Sequence, residues 1–164
     1  MSRRKTIKVP LNRGKFALVD AADFKLVGGC AWFCLKNGYA VRNVWNPITK
    51  KASGEYMHRL IAGTPPGMHT DHINGDKLDN RRCNLRICTR FGNMKNLKLS
   101  KANKTGFKGV DFQKSHGRFR AQIMSNRILY HLGGFDAAQE AGHAYDLAAA
   151  RLHGEFSRLN KKLK

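Results

Sequence analysis

Residues 70–80 read TDHINGDKLDN. The chain carries 31 Lys and Arg against 11 Asp and Glu, yet Asp71, Asp76 and Asp79 gather here beside His72. Carboxylates near a polyanion are repelled by it unless a cation lies between them. Asp71 next to His72 is the suggestive pair, because a hard divalent ion takes oxygen ligands while a neighbouring neutral imidazole takes a proton from water. A metal and a base are the minimum for phosphodiester hydrolysis. A merely solvated Asp-rich turn is the competing reading, and the residues alone leave it open.

Other metal chemistries fit less well. A calcium loop of the EF-hand type needs oxygen donors at its first, third and fifth positions, and counting from Asp71 these are Asp71, Ile73 and Gly75. A zinc site from His58, His69 and His72 is disfavoured because strand alternation puts His69 and His72 on opposite faces. Cys30, Cys34, Cys83 and Cys88 could in principle hold zinc, but they are spaced C-x3-C and C-x4-C, and Cys30, Cys34 and Cys88 sit in apolar runs that suit a small buried thiol.

The formal net charge of +20 is spread along the chain. Such a field stores self-repulsion that a polyanion relieves, and nucleic acid is the first partner to expect. No stretch approaches the roughly 20 apolar residues that span a bilayer, and MSRRK leads into no apolar signal region. The expectation is a cytoplasmic protein without a membrane partner.

The elements that must position this chemistry fall in three segments. Residues 6–57 contain KFALVD, CAWFCL and GYAVRNVW, short strand-like runs separated by Gly, Asn and Pro turns, with Trp32, Phe33, Tyr39 and Val41 as core candidates. In residues 58–99, His69 to His72 suits a short strand, Asn74-Gly75 is a hairpin signal, residues 84–87 suit a second strand, and a short helix begins between Thr89 and Asn93. LKLSKANKTG at 97–106 has the composition of a linker.

Beyond it, Phe119, Ala121 and Ile123 alternate with Arg118, Arg120, Gln122 and Met124, and Ile128, Tyr130 and Leu132 alternate with Arg127, Leu129 and His131. Asp136 is placed to N-cap a helix, with Gln139 completing a capping box and Gly154 stopping it. Ala138, Ala141, Tyr145, Ala148 and Leu152 form a narrow apolar stripe on that helix. A helix covering Phe119, Ala121, Ile123 and Tyr130 would leave Arg118, Arg120, Gln122, Arg127 and His131 on an open cationic face, where Arg can read guanine and Gln adenine in a major groove.

Two family resemblances join these readings. Residues 58–96 resemble the HNH endonucleases of phages and mobile elements, through His58-Arg59-Leu60-Ile61, the run Asp71 to Asn80, Asn84-Leu85-Arg86, Asn93 and Asn96. The resemblance implies a beta-beta-alpha-metal unit with Asp71 and Asn93 as metal ligands, His72 as general base and Asn84 pinning the hairpin. It also implies one divalent ion, Mg²⁺ with Mn²⁺ as the alternative. Asn93 stands where many members have the final histidine, and Gly92 replaces a residue that is often acidic. Arg81, Arg82, Arg86 and Arg90 lie near enough in sequence to clamp phosphates, while Asp76 and Asp79 take turn or cap roles. PLNRGKFALVDAADF and GYAVRN resemble, more weakly, the leader that precedes such units.

Residues 105–160 resemble the APETALA, or ethylene-response-factor, DNA-binding domain, through Lys108-Gly109-Val110, Gly117 to Ile123, Leu132 to Phe135, Ala141 to Asp146, Ala148-Ala149 and Gly154. This implies a three-stranded antiparallel sheet on one helix, with DNA contacts at Lys108, Arg118, Arg120, Gln122 and His131. Asp111 stands where the family usually has Arg, and His131 where it has a strand tryptophan, so base preference does not transfer.

The expected fold class is α+β: a small β-rich leader at 1–57, a nuclease unit at 58–99 and a sheet-and-helix DNA-binding domain at 100–164. The expected function is a homing-type, metal-dependent endonuclease acting on double-stranded DNA, nicking as a monomer or cutting both strands as a weak dimer. The competing class is a non-catalytic DNA-binding regulator that retains a decayed nuclease fold.

Overall fold

The computed structural model describes residues 5–97, 99–100 and 102–160. Expectations that fall on residues 1–4, and on Lys98 and Lys101 of the linker stretch, lie outside the described residues. The chain is α+β and forms two compact units, one ending at Arg90 and the other beginning at Phe91.

In the first unit, β1 (Thr6–Pro10) and β2 (Phe16–Asp20) pair antiparallel, with Val9 opposite Ala17 and Ile7 opposite Val19. Their turn is tight enough to place both Arg13 and Gly14 at positive φ. Alternation sends Val9, Ala17 and Val19 inward, where they join Val27, Trp32, Ala40, Met57 and Ile61 in one core. The Trp32 indole N–H donates to the Val27 carbonyl at 2.9 Å, so its polar handle is satisfied inside that core. Val27 ends a four-residue helix, α1 (Phe24–Val27).

The expected CAWFCL strand shrinks to the pair β3 (Phe33–Cys34), since the preceding Gly28-Gly29 turn and the Trp32 anchor bend the chain away from an extended run. It pairs with β4 (Ala40–Asn46), which pairs in turn with β5 (Lys51–Tyr56). Of the four expected core residues, Trp32 and Val41 are buried, while Phe33 and Tyr39 are half-buried.

The helix α2 (Met57–Ala62) follows β5 directly and buries Met57, His58 and Ile61 on one face. It ends at Gly63, whose left-handed conformation (φ 63°) supplies the terminating turn. The antiparallel pair β6 (His69–His72) and β7 (Leu85–Cys88) sets Asp71 opposite Arg86 and His72 opposite Leu85.

Asn74-Gly75 does turn, with the Gly75 N–H donating to the His72 carbonyl at 2.8 Å, but it does not close a two-residue hairpin. The connection runs from residue 73 to 84, and β2 is laid along it: the Leu18 N–H donates to the Leu78 carbonyl and the Asn80 N–H to the Leu18 carbonyl, each at 2.8 Å. Arg82 adds a second tie, its backbone N–H to Asp20 at 2.9 Å and its guanidinium to Asp23 at 2.8 Å. These bonds make the leader and the hairpin one unit.

The short helix α3 (Arg90–Lys95) carries the division between the units. In the second unit β8 (Val110–Gln113), β9 (Arg118–Ser125) and β10 (Ile128–Phe135) form an antiparallel sheet in the order β10-β9-β8. The helix α4 (Ala138–His153) packs Ala141, Tyr145 and Ala149 against Val110, Ala121 and Ile123. Small residues let the helix lie close: a Cβ at Gly142 would sit 2.4 Å from the Phe107 ring, and one at Gly109 would sit 2.0 Å from Tyr145.

Three expectations for this unit need correction. Asp136 does not cap α4, whose N-cap is Ala137, because its carboxylate is taken by Arg118 at 2.8 Å. Tyr130 is 37% exposed rather than covered, since the register shifts between His131 and Gly133 and Leu132 fills the core instead. The expected stripe holds, with Ala141 and Tyr145 buried and Ala148 and Leu152 packed against the same core, joined by Ala149 and His153. The linker-like stretch contains an ordered turn, in which Asn103 accepts from the Gly106 N–H at 2.8 Å and donates to the Phe107 carbonyl at 2.9 Å.

Candidate active site

His72 is the last residue of β6 and is buried, with 4% of its surface exposed. Its ring packs against His58 of α2 (centroids 5.1 Å apart) and Tyr39 (5.9 Å), and Tyr56 closes the cluster on the far side of His58 at 5.4 Å. His72 Nε2 lies 3.2 Å from Asn80 Oδ1. The Asn80 amide nitrogen donates to the Leu78 carbonyl at 3.2 Å, which fixes the oxygen toward the imidazole. An amide oxygen only accepts, so Nε2 carries the proton and the lone pair of the neutral ring resides on Nδ1. Burial holds the His72 pKa below that of an ordinary histidine, against the Asn80 hydrogen bond and the carboxylates of Asp71, Asp76 and Asp79, which act in the opposite sense.

Asp71 is buried on the neighbouring strand position, and its Oδ2 accepts from Arg86 Nη2 at 2.6 Å and Nε at 2.9 Å. The cross-strand register dictates this contact, because Asp71 and Arg86 are direct partners. The Asp71 carboxylate, in the first unit, and the Asn93 amide, in the second, each offer a hard oxygen of the kind an ion of the Mg²⁺ class takes before water and substrate phosphates complete its shell. Asn93 is half-buried on α3. Among the described residues no three His, Cys, Asp or Glu side chains gather as a protein-only metal cage. Cys34 and Cys88 are buried and Cys30 and Cys83 exposed, all as free thiols.

The loop between the strands is held from within. The Asn84 side chain accepts from the Asn74 N–H at 2.9 Å and donates to the Asp79 carbonyl at 2.7 Å, while the Asn84 carbonyl accepts from the Ile73 N–H at 2.9 Å. Asp79, 2% exposed, receives Arg81 at 2.7 Å and the Asn74 amide at 3.0 Å, and Arg81 holds its carboxyl below the usual range. Asp76 accepts from the Leu78 N–H at 3.0 Å in a local turn.

The arginines expected to clamp phosphates divide. Arg90 is exposed on α3, while Arg81 pairs with Asp79, Arg82, itself exposed, with Asp23, and Arg86 with Asp71. Lys108 is half-buried, its ammonium donates to the Lys95 carbonyl at 2.8 Å, and burial lowers its pKa. Arg127 sits in the β9-β10 turn at positive φ (67°), with its guanidinium 5.5 Å from the Phe91 ring centroid. Arg118, Arg120, Gln122 and His131 do lie on β9 and β10, with Gln122 opposite His131. Two of them are ion-paired, Arg118 with Asp136 at 2.8 Å and Arg120 with Asp111 at 3.0 Å.

Residue reasoning did not assign Asn80, Arg86's grip on Asp71, or the Tyr39, Tyr56 and His58 cage. Asn80 and His58 stand within the quoted motifs, which was the available signal. Tyr39 and Tyr56 carried none, because only the fold brings them to His72.

Residues 55–95 match the family model described as HNH endonuclease. An HNH endonuclease of Acanthamoeba polyphaga mimivirus, itself described as uncharacterized, is 30% identical over 159 residues, which covers 92% of this chain and 79% of that protein. Protein 3.8 of Escherichia phage T7 is 29% identical over 94 residues, covering 57% of this chain and 77% of that protein. An ethylene-responsive transcription factor of Arabidopsis thaliana is 44% identical over 63 residues, only 24% of its own length. With the family match falling on the hairpin that holds Asp71 and His72, and with a relative alike over most of both chains, the chain belongs to the HNH endonuclease family and is a nuclease.

Proposed function

We propose that this nuclease is a homing-type, divalent-metal-dependent DNA endonuclease in which His72 takes the proton of the attacking water. The observation that carries the reading is the neutral, buried His72 imidazole whose Nε2–H is committed to Asn80. A general base must be unprotonated at working pH and must present a lone pair, and the Asn80 bond directs that lone pair to Nδ1. Asp71 and Asn93 would hold the divalent ion, which when bound supplies charge stabilisation for the scissile phosphate and its leaving oxygen. Arg86 holds the Asp71 carboxylate in place, and Asn84 fixes the loop that joins the two strands.

Site selection falls to the second unit's sheet in this reading, supported by the local likeness to a plant transcription factor and by the arginines and Gln122 on one sheet face. The pair Arg118–Asp136 is solvent-exposed and hence weak, and Arg120–Asp111 is half-buried at the sheet face, so in this reading a phosphate or guanine competes with the carboxylate for each arginine.

A plasmid-relaxation assay in Mg²⁺ and in EDTA tests the proposal. Supercoiled DNA is expected to be nicked or linearised in Mg²⁺ alone, and His72→Ala to bind DNA without cleaving it. Binding with the supercoiled form intact across divalent metals would return the protein to the regulator class.

A further inference from the structure

From residue 43 to residue 54 every side chain is exposed, on both faces of the β4-β5 ribbon. Val44, Trp45 and Ile48 are 37%, 61% and 91% exposed. Single exposed apolar residues are ordinary, but three at the end of one projecting ribbon form a patch. A two-stranded ribbon that buries neither face is marginal in water.

The tip is nevertheless built. The Asn46 side-chain oxygen accepts from the Ile48 N–H at 2.9 Å and from the Thr49 N–H at 3.0 Å, and Lys50 adopts a positive φ of 50° to complete the turn. The register places Trp45 opposite Ala52 and Asn46 opposite Lys51, so small neighbours leave the indole uncovered. Residues 43–54 include Lys50 and Lys51 and no carboxylate.

We propose that this ribbon enters a groove of the duplex that the nuclease cleaves, with Trp45 and Ile48 against base edges and Lys50 and Lys51 on the flanking phosphates. The charge of the tip, in a chain of net charge +20, selects a polyanion over an apolar protein surface. A two-stranded ribbon is the width a groove admits, and apolar side chains are used there against bases. The ribbon's base belongs to the active site: Tyr39 immediately precedes β4 and packs on His72, and Tyr56 ends β5 and packs on His58. Five residues of strand reach roughly 17 Å, so the tip meets the same duplex about five base pairs from the cleaved bond. The inference rests on the reading that duplex DNA is the substrate.

Its test uses full-length protein in EDTA with a plasmid fragment that the wild type cleaves in Mg²⁺. Trp32 is 5% exposed and Trp45 61%, so acrylamide quenching of tryptophan fluorescence reports on the tip, and DNA is expected to abolish most of it. Trp45→Ala with Ile48→Ala should raise Kd on the order of tenfold with the thermal midpoint unchanged. Lys50→Ala with Lys51→Ala should lower the log-log salt slope by about 1.8. Trp45 remaining fully quenchable in a complex seen by gel shift, or variants that bind like the wild type, would overturn the ribbon's role while leaving the nuclease intact. Protection that grows with protein concentration without DNA would overturn it in favour of self-association. A wild type that neither binds nor cleaves duplex DNA would remove the underlying reading and this one with it.

Discussion

At the residue scale the site turns on how His72 is held. Its Nε2 lies 3.2 Å from Asn80 Oδ1, an acceptor that favours the proton on Nε2 and the basic lone pair on Nδ1. Groups that orient a reactive imidazole typically cost 10- to 100-fold when removed, so Asn80→Ala should lower the cleavage rate by about that factor while leaving DNA affinity in EDTA unchanged. Single-turnover cleavage against gel-shift affinity separates the two, and a proportional loss of binding would count against a positioning role.

His58 offers a different measurement. It is buried, its Nδ1 has no hydrogen-bond partner, and burial, with His72 and Arg59 adding to it, lowers its pKa to about 3. In the unfolded chain the value is near 6.5, so between these values the unfolded state binds more protons. Stability is therefore complete above pH 6.5 and is lost as pH falls toward 3, by about 2 kcal/mol between pH 7 and 5. His58→Phe keeps an aromatic ring without the titration. Denaturant melts at pH 7 and 5 should show a smaller acid loss in the variant than in the wild type.

At the scale of elements the connection between β6 and β7 matters most. A loop from residue 73 to 84 would ordinarily leave the strand ends loosely related. Here Asn84 spans it, tying the Asn74 N–H and the Asp79 carbonyl with one side chain. Asn84→Ala leaves both groups without that partner in a buried setting and should destabilise the protein by about 2 kcal/mol, read as a shift in urea midpoint at constant m-value. Asn84→Asp should recover part of this, since a carboxylate still accepts from Asn74 but cannot donate to Asp79.

The hairpin strands, α3, the three-stranded sheet and α4 were legible in the sequence because they announce themselves by short-range pattern: alternation in Phe119 to Ile123, helical spacing through Ala141 and Tyr145. The N-cap of α4 was misplaced because Asp136 satisfies the local rule equally well at the cap or on Arg118, and only the fold decides which donor it meets. Tyr130 leaves the covered face while Leu132 stays in the core, because of a bulge that periodicity cannot foresee. Asp71 and His72 stood out as residue types, whereas Tyr39 and Tyr56 reach the site through long-range packing that no local signal encodes.

At the scale of the whole molecule the net charge of +20 makes attraction to DNA easy and discrimination the harder task. Phosphate contacts supply affinity in proportion to the charges neutralised, and base contacts supply choice. The second unit's sheet tempers its own charge, since Asp136 sits on Arg118 and Asp111 on Arg120. If the sheet reads DNA as proposed, each carboxylate must yield its arginine before a base or phosphate can take it, which penalises every sequence and is offset only where the arginine gains a good partner.

Removing the carboxylates should therefore act on affinity and selectivity in opposite directions. Asp111→Asn with Asp136→Asn is expected to tighten binding to random duplex, to steepen the salt slope by up to about 1.8 for two newly available arginines, and to narrow the ratio of preferred to random cleavage. Arg118→Ala with Arg120→Ala should weaken binding to the preferred site while Mg²⁺-dependent cleavage of random DNA persists, because neither arginine is among the residues proposed to hold the ion or take the proton. Gel-shift titrations at several salt concentrations, run beside cleavage mapping on one plasmid, measure both. If the aspartate variant bound random and preferred DNA with the wild-type ratio and slope, the sheet face would not be the reader.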